Sequence, residues 1–415
     1  MRVGLVCGDF RPARDGVAHY TARLAAELSR RGLDVLVATG APGGGGGASV
    51  PVRGGTDVQG EGAKVPVSVV TDSWGVRGVR RAARALAAED LDVVHVQFAP
   101  SAYAWHGAVG VLPGLLGGGA RLVTTVHEYA WWSWGPRPLQ AVLARTAWPW
   151  LERRGWWDRE AGLLTARASA VVATNPVHAH ALRARLPRAA VVEVPIGANL
   201  GVAAAAGADT RRSVRAELGL GGDAPVLAFF GFIHAVKGIR HLVEALALVR
   251  ADVPGAHLLL IGGFESLALR GRQATDYAAE VRAMIAVRDL SGTVTLTGWL
   301  PEAQVSRLLS AADVAVLPFT AGTTTKSGSL LACAEHGLPI VATAADPPDP
   351  ELVDGDAALL VGVRDTEALA KAMTRVLQDL DLAAALSLGA RRLAASHGWA
   401  AIVDAHLRLY AGDTP

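Results

Sequence analysis

Short runs of β-branched and aliphatic residues alternate along the first half of the chain with longer Ala-, Leu- and Arg-rich stretches of helical period. The runs predict strands at 3–7, 34–38, 65–70, 92–97, 122–127, 170–174 and 190–194. Helical patterns lie between them, as at 17–31, where Leu24, Leu28 and their neighbours recur on one face. That alternation predicts a parallel sheet with helices on both faces. Between Gly197 and Ala224 the pattern loosens into Gly- and Ala-rich sequence around one short helix near 211–218, which reads as a linker. A second alternation follows, with strands at 226–230, 257–261, 294–297, 314–317, 340–342 and 358–361. Its helices are predicted at 238–250, 277–287, 302–311, 329–336 and 366–377, with two more in the tail up to about Tyr410. The expected class is α/β: two Rossmann-like doubly wound domains, residues 1–196 and 225–395, facing across a cleft, joined by 197–224. Residues 396–415 are expected to form a helix returning towards the first domain. In such sheets ligands gather at the carboxyl ends of strands, beside helix N-termini.

Composition narrows the function classes. With 415 residues, 51% hydrophobic and 19% charged, the chain can bury two sizeable cores and is not disordered. Forty Lys and Arg against 38 Asp and Glu leave a charge of +2, without the basic excess of a nucleic-acid protein. Two distant cysteines, Cys7 and Cys333, offer neither a disulfide framework nor a zinc site, so a reducing cytoplasm is the expected setting. The opening apolar run turns polar at Asp9, too soon for a secretory signal. Residues 93–120 carry no charged side chain, but His95, Gln97, Pro100, His106, Pro113 and the Gly117–Gly119 triplet favour a buried strand, loop and helix over a membrane span. The five glycines 43–47 lack phosphate-loop spacing and read as a flexible connector.

Several fragments in order carry a resemblance. They are Asp15-Gly16-Val17-Ala18-His19-Tyr20, Asp92-Val93-Val94-His95-Val96 and Thr124-Thr125-Val126-His127-Glu128-Tyr129 in the first half. In the second half come Phe230-Gly231-Phe232, Lys237-Gly238, Leu259-Leu260-Ile261-Gly262-Gly263, Thr297-Gly298-Trp299-Leu300-Pro301, Ala312-Asp313-Val314 and Gly337-Leu338-Pro339. In this order and spacing the chain resembles the GT-B-fold glycosyltransferases of family 4 (glycosyl transferases group 1), retaining enzymes that use nucleotide sugars. The resemblance covers nearly the whole chain. It implies transfer of a sugar from a GDP- or UDP-sugar to an acceptor, with the acceptor on the first domain and the nucleotide on the second. It also implies a metal-independent enzyme, in agreement with the expectation that the chain has no Asp-x-Asp metal motif; no cofactor is expected beyond the donor substrate itself.

The resemblance also assigns candidate residues. Gly16 precedes a helix and leaves backbone room for an anion; in the family this glycine lies against the donor. Lys237 begins a helix and suits a diphosphate, with Gly263 nearby on the donor side. Relatives add an Arg five residues before this Lys, where Phe232 stands here. They also carry two glutamates eight positions apart, here Thr324 and Ala332, so this chain resembles a subset lacking both. Lys326, Ser327, Gly328 and Ser329 form a basic helix start that could hold the diphosphate instead; as bare sequence, Ser327 is equally an ordinary helix cap. His127, at a strand end, is the candidate catalytic residue, with the pKa and two ring nitrogens to polarise a hydroxyl or phosphate oxygen.

Glu128 and the tryptophans complete the acceptor side. Seven of the eleven tryptophans fall at 131–157, and Trp131, Trp132 and Trp134 follow His127 directly. Core packing, an indole cage for a cationic or aromatic acceptor, and membrane-interface anchoring with the interleaved arginines all remain open. The expected acceptor is a small molecule such as an aminocyclitol, an amino sugar or an ergothioneine-type thiol, as in antibiotic biosynthesis. A membrane-surface transferase acting on a lipid-linked acceptor, and a non-catalytic sugar-nucleotide-binding protein, are the alternatives. No nucleic-acid partner is expected.

Overall fold

A computed structural model of the chain describes residues 1–11, 15–41, 65–129, 147–198, 200–202, 208–265, 269 and 271–413. The five-glycine connector lies outside them. Seven parallel strands, β1 Arg2–Cys7, β2 Asp34–Gly40, β3 Val67–Thr71, β4 Val93–Phe98, β5 Arg121–Val126, β6 Ala170–Ala173 and β7 Val191–Glu193, form one sheet in the order β3-β2-β1-β4-β5-β6-β7. Six more, β8 Val226–Phe230, β9 His257–Ile261, β10 Val294–Gly298, β11 Val314–Leu317, β12 Ile340–Thr343 and β13 Leu359–Val361, form a second parallel sheet in the order β10-β9-β8-β11-β12-β13. Both are Rossmann-like α/β sheets. Strands covered on both faces read as unbroken apolar runs, which is why β9 and β11, buried at every residue, were legible.

In each sheet the strand order reverses once, between β1 and β4 and between β8 and β11. These switch points leave a crevice outside the strand carboxyl ends, where open α/β sheets take their ligands. The chain divides into two compact units: Met1–Ile196 with Trp399–Pro415, and Gly197–Gly398. Residues 197–224, which read as a linker, thus fall in the second unit. Their Ala208–Glu217 helix is fastened by Arg215, 2% exposed, which donates to the Ala311 and Ala224 carbonyls (3.1 and 2.9 Å) and to Asp313 Oδ2 (2.8 Å). A Gly/Ala-rich composition conceals such an anchor. In the first unit the Trp399–Ala411 helix places Ile402, Val403, Leu409 and Tyr410 among Val3, Leu5, Val93 and Val123 on one face of the sheet.

β5 ends at Val126, one residue earlier than predicted, so His127 stands just beyond the strand. The helix predicted from 277 already starts at Arg272, after Gly271 in a positive-φ turn. The uncharged stretch 93–120 forms β4, the tight turns Pro100–Tyr103 and Gly107–Val111 and the short helix Leu112–Leu115. Among the described residues no helix is long and apolar enough to cross a membrane.

Candidate active site

In the second unit the ends of β8, β9 and β11 meet by backbone contact, and the start of one helix reaches them through a serine side chain. Gly231 follows β8 at φ +138°, and a Cβ there would lie 2.6 Å from Ser329 Oγ. Gly262 follows β9 at φ +143°, and a Cβ there would lie 2.0 Å from the Gly231 carbonyl oxygen. Only glycine fits both positions, because each combines a positive φ with a neighbour's direct approach. Gly263 carries the next link, its carbonyl accepting from Ile233 N–H at 2.9 Å. Beyond this link the chain turns through Ala235–Lys237 and Gly238, whose φ is +69° and whose missing Cβ makes room for the Pro318 carbonyl after β11.

Lys237 is thereby set beside the end of β11, its Nζ 3.7 Å from the Phe319 ring centroid, a cation–π distance. Burial disfavours the charged amine and lowers its pKa to about 8. Ser329 lies in the first turn of the Gly328–Glu335 helix, with Ser327 as its cap accepting from Leu330 N–H at 3.3 Å. Ser327 thus does the ordinary capping work, while the N–H groups of Gly328 and Ser329 sit at a helix start, where no intrahelical carbonyl serves them. Lys326 is exposed just ahead of the cap.

The departures have distinct surroundings. Thr324 is half-buried, and its carbonyl accepts from Ser327 N–H at 2.9 Å. Ala332 is fully buried within the helix, and Phe232 is half-buried beside Gly231. Asp349, absent from the sequence reading, accepts from Thr325 N–H and Oγ1 at 2.7 and 2.8 Å and so pins the loop entering this helix.

In the first unit Gly16 opens the Gly16–Arg30 helix, capped by Asp15, whose Oδ2 accepts from Ala18 N–H at 3.0 Å. A Cβ at Gly16 would meet nothing within 4 Å. Packing inside the unit therefore does not require glycine there. Burial, against the helix N–H bonds and with the charges of Asp9 and Glu128 adding to it, pushes the Asp15 carboxyl up to about 6. His127 donates its backbone N–H to the Phe98 carbonyl (2.9 Å), and its Nε2 lies 2.9 Å from Gln97 Oε1. The Tyr20 ring meets it edge-on at 5.0 Å. Glu128 goes elsewhere, accepting from Ser101 Oγ at 3.2 Å. Adjacent residues diverge in this way as they leave a strand.

Trp131, Trp132 and Trp134 lie outside the described residues. Of the same cluster, Trp148 and Trp157 are half-buried, while Trp150 and Trp156 are 46% and 53% exposed. The Arg154 guanidinium lies 4.4 and 5.3 Å from the last two rings. Full burial in a core therefore does not describe Trp150 and Trp156. Asp-x-Asp spacings do occur, at Asp90/Asp92, Asp354/Asp356 and Asp379/Asp381. Asp92, Asp354 and Asp379 accept backbone N–H bonds from Arg2, Leu360 and Leu382 at 2.6, 2.7 and 2.9 Å. Among the described residues no three His, Cys, Asp or Glu side chains gather as a metal would require.

Two parallel Rossmann-like sheets, each with residues gathered at its strand carboxyl ends, define a GT-B protein. Residues 14–202 match the family described as Glycosyltransferase Family 4, and residues 224–379 match Glycosyl transferases group 1. The chain thus carries a Glycosyltransferase Family 4 domain followed by a Glycosyl transferases group 1 domain. It is 30% identical over 198 residues to the lipopolysaccharide core biosynthesis glycosyltransferase LpsE of Rhizobium meliloti, covering 48% of this chain and 53% of that protein. It is 34% identical over 212 residues to a D-inositol 3-phosphate glycosyltransferase of Saccharomonospora viridis, covering 48% and 46%. The chain thus spans about half the length of the curated relatives it matches. Among solved structures, the sucrose-phosphate synthase of Thermosynechococcus elongatus aligns with TM-score 0.70 at 20% identity, over 99% of this chain and 98% of that one. Anabaena HepE, in complex with UDP-glucose, aligns with TM-score 0.70 at 17% identity over 99% of both chains. These two likenesses concern the fold.

Proposed function

We propose that the chain is a retaining glycosyltransferase that moves a sugar from a nucleoside diphosphate, UDP or GDP, to a small polar acceptor. The observation that carries the reading is the convergence at the second switch point. There the Gly231 backbone meets the Gly262 backbone and the Ser329 hydroxyl, and Lys237 adds a cation beside β11. Donor N–H groups at a helix start together with a half-buried ammonium suit a diphosphate. Lys326 supplies a second cation next to that helix start, where relatives would use an Arg at the place of Phe232. The UDP-glucose bound by the structurally similar HepE agrees with a nucleotide sugar as ligand.

In the first unit, His127 is the candidate group beside the reacting hydroxyl, and Gly16 leaves room for a ligand. The acidic surroundings of Asp15 favour an acceptor that carries positive charge or many hydroxyls, as an aminocyclitol or amino sugar does. In the reaction the bond between the anomeric carbon and the phosphate oxygen breaks while the acceptor oxygen bonds the same face. The acceptor proton passes to the leaving phosphate oxygen, giving glycoside and nucleoside diphosphate. Positioning and phosphate stabilisation are then the protein's main contributions. The test is nucleotide release from UDP- and GDP-sugars against a panel of aminocyclitols, amino sugars and betaine thiols. Acceptor-dependent release that is lost in His127→Ala supports the reading, and release indifferent to that change refutes it.

A second reading rests on Trp150, Trp156 and Arg154: exposed indoles around a guanidinium suit a membrane interface, and with it a lipid-linked acceptor. It predicts co-sedimentation with anionic vesicles that weakens with salt and is lost in the Trp150→Ser/Trp156→Ser double variant. Equal sedimentation by the double variant removes it.

A further inference from the structure

β4 carries two polar side chains, His95 and Gln97, on one face of a strand buried at every residue. Buried polar groups on such a face are held by partners, and here the partners form a continuous line. His127 Nε2 lies 2.9 Å from Gln97 Oε1, and Gln97 Nε2 lies 3.1 Å from His95 Nε2. His95 Nε2 is also 2.7 Å from Thr125 Oγ1 on β5, and His95 Nδ1 is 2.6 Å from the Tyr410 hydroxyl on the Trp399–Ala411 helix. The line therefore runs from the strand end that carries His127 to a helix near the other end of the chain, 315 residues from His95.

The donors and acceptors can be followed along it. With the Gln97 amide in this orientation its oxygen accepts from His127 Nε2–H, which puts the lone pair of the neutral ring on Nδ1. The Gln97 NH2 group only donates, so His95 Nε2 must accept, and the Thr125 hydroxyl donates to the same nitrogen. His95 then carries its proton on Nδ1 and donates it to the Tyr410 oxygen. Burial, with the rings of His406 and His127 nearby, holds His95 well below the usual imidazole range, so it remains neutral and keeps one proton to direct.

We propose that Gln97 is a positioning residue for the transfer reaction: it fixes His127 as the Nε2–H tautomer, and its own orientation is fixed by His95 between Thr125 and Tyr410. The inference rests on the role given to His127 above. The role of Gln97 is to hold the proton of the neutral His127 ring on Nε2, so that Nδ1 is always its basic nitrogen. A catalytic imidazole whose second nitrogen is held in this way keeps a defined tautomer and ring angle. The edge contact of Tyr20 and the backbone bond to Phe98 add to the clamp around the ring.

The test has a spectroscopic and a kinetic arm on the full-length chain. With 15N-labelled histidine, long-range 1H–15N spectra report each ring's tautomer, and the His127 signals are those lost in His127→Ala. The wild type should show His127 as Nε2–H. Gln97→Leu should give mixed tautomers, and Tyr410→Phe, which removes only a hydroxyl, a partial loss. Gln97→Glu, which keeps the acceptor oxygen, should restore the Nε2–H form. In turnover, Gln97→Leu should lower kcat about tenfold or more while donor KM stays within about twofold, and Gln97→Glu should recover part of it. An Nδ1–H form in the wild type, one unchanged tautomer across the variants, or kcat and KM falling together would overturn the proposal. Should Gln97→Leu fail to fold, Tyr410→Phe and Gln97→Glu give the same decision. A wild type without turnover defeats the transferase reading, whereas the spectra still decide the role of Gln97.

Discussion

A diphosphate held by Lys237 should bind with a pH dependence that can be worked out beforehand. Burial lowers the Lys237 ammonium from the ordinary 10.5 to about 8. About nine-tenths of the chains then carry the charge at pH 7, and about one-tenth at pH 9. A diphosphate against Nζ favours the charged form and restores its pKa towards the ordinary range. Affinity then follows the protonated fraction of the free protein, so Kd should weaken about tenfold between pH 7 and pH 9, equivalent to about 1.4 kcal/mol. Replacing the residue, as in Lys237→Met, removes a charge-assisted contact worth about 1.5–3 kcal/mol. At pH 7 that is roughly a ten- to hundredfold loss of affinity. The variant should also lose the slope, and any titration of the nucleotide itself cancels between the two proteins. Isothermal titration with one nucleoside diphosphate at pH 7, 8 and 9 measures both effects. Parallel pH curves, or equal affinities at pH 7, would refute a diphosphate on Lys237. Folding stability moves the other way: between about 8 and 10.5 the unfolded chain binds more protons than the folded one, so stability should rise through that window.

Three further outcomes follow from the second unit. Gly262→Ala drives a Cβ to 2.0 Å from the Gly231 oxygen at φ +143° and should cost about 2–5 kcal/mol in urea unfolding; a change under about 0.5 kcal/mol would show that the strand ends give way freely. Asp313→Ala removes the carboxylate shared by Arg211 and the buried Arg215 and accepting from Val226 N–H at 2.7 Å. It should cost about 3 kcal/mol because a buried guanidinium loses its counter-charge, and an unchanged midpoint would contradict this. Restoring the glutamates should be unequal: Thr324→Glu, half-buried, should leave the melting temperature nearly unchanged, while Ala332→Glu buries a carboxylate and should lower it clearly. Equal melting temperatures would mean that position 332 already has room for the acid.

The fold was legible because parallel strands covered on both faces leave unbroken apolar runs, and His257–Ile261 or Val314–Leu317 can hardly be read otherwise. Gly231, Gly262 and Lys237 were legible as fragments in order, but what each lies against was not. That Gly262 approaches the Gly231 carbonyl, or that Ser329 fills the space beside Gly231, depends on strand register and helix placement. The supports of His127 were hidden for the same reason, since Gln97, Thr125 and Tyr410 are brought together only by pairing β4 with β5 and by the return of the last helix. One signal was present: Val93-Val94-His95-Val96-Gln97-Phe98 sets two polar residues two apart in an otherwise apolar strand, hence on one face, where each needs a partner. The linker reading missed Arg215 because one buried cation does not alter a Gly/Ala-rich average.

The account stands most directly on a nucleoside diphosphate binding to the second unit, and thermal shift of the full chain with UDP, GDP, ADP, dTDP and CDP measures it. One nucleotide should raise the melting temperature by the equivalent of about 2.7 kcal/mol at a hundred times its Kd, and Lys237→Met should remove about half of that shift or more. Stabilisation by none of the five would contradict the account, leaving Phe232, Thr324 and Ala332 as the marks of a donor site that no longer binds.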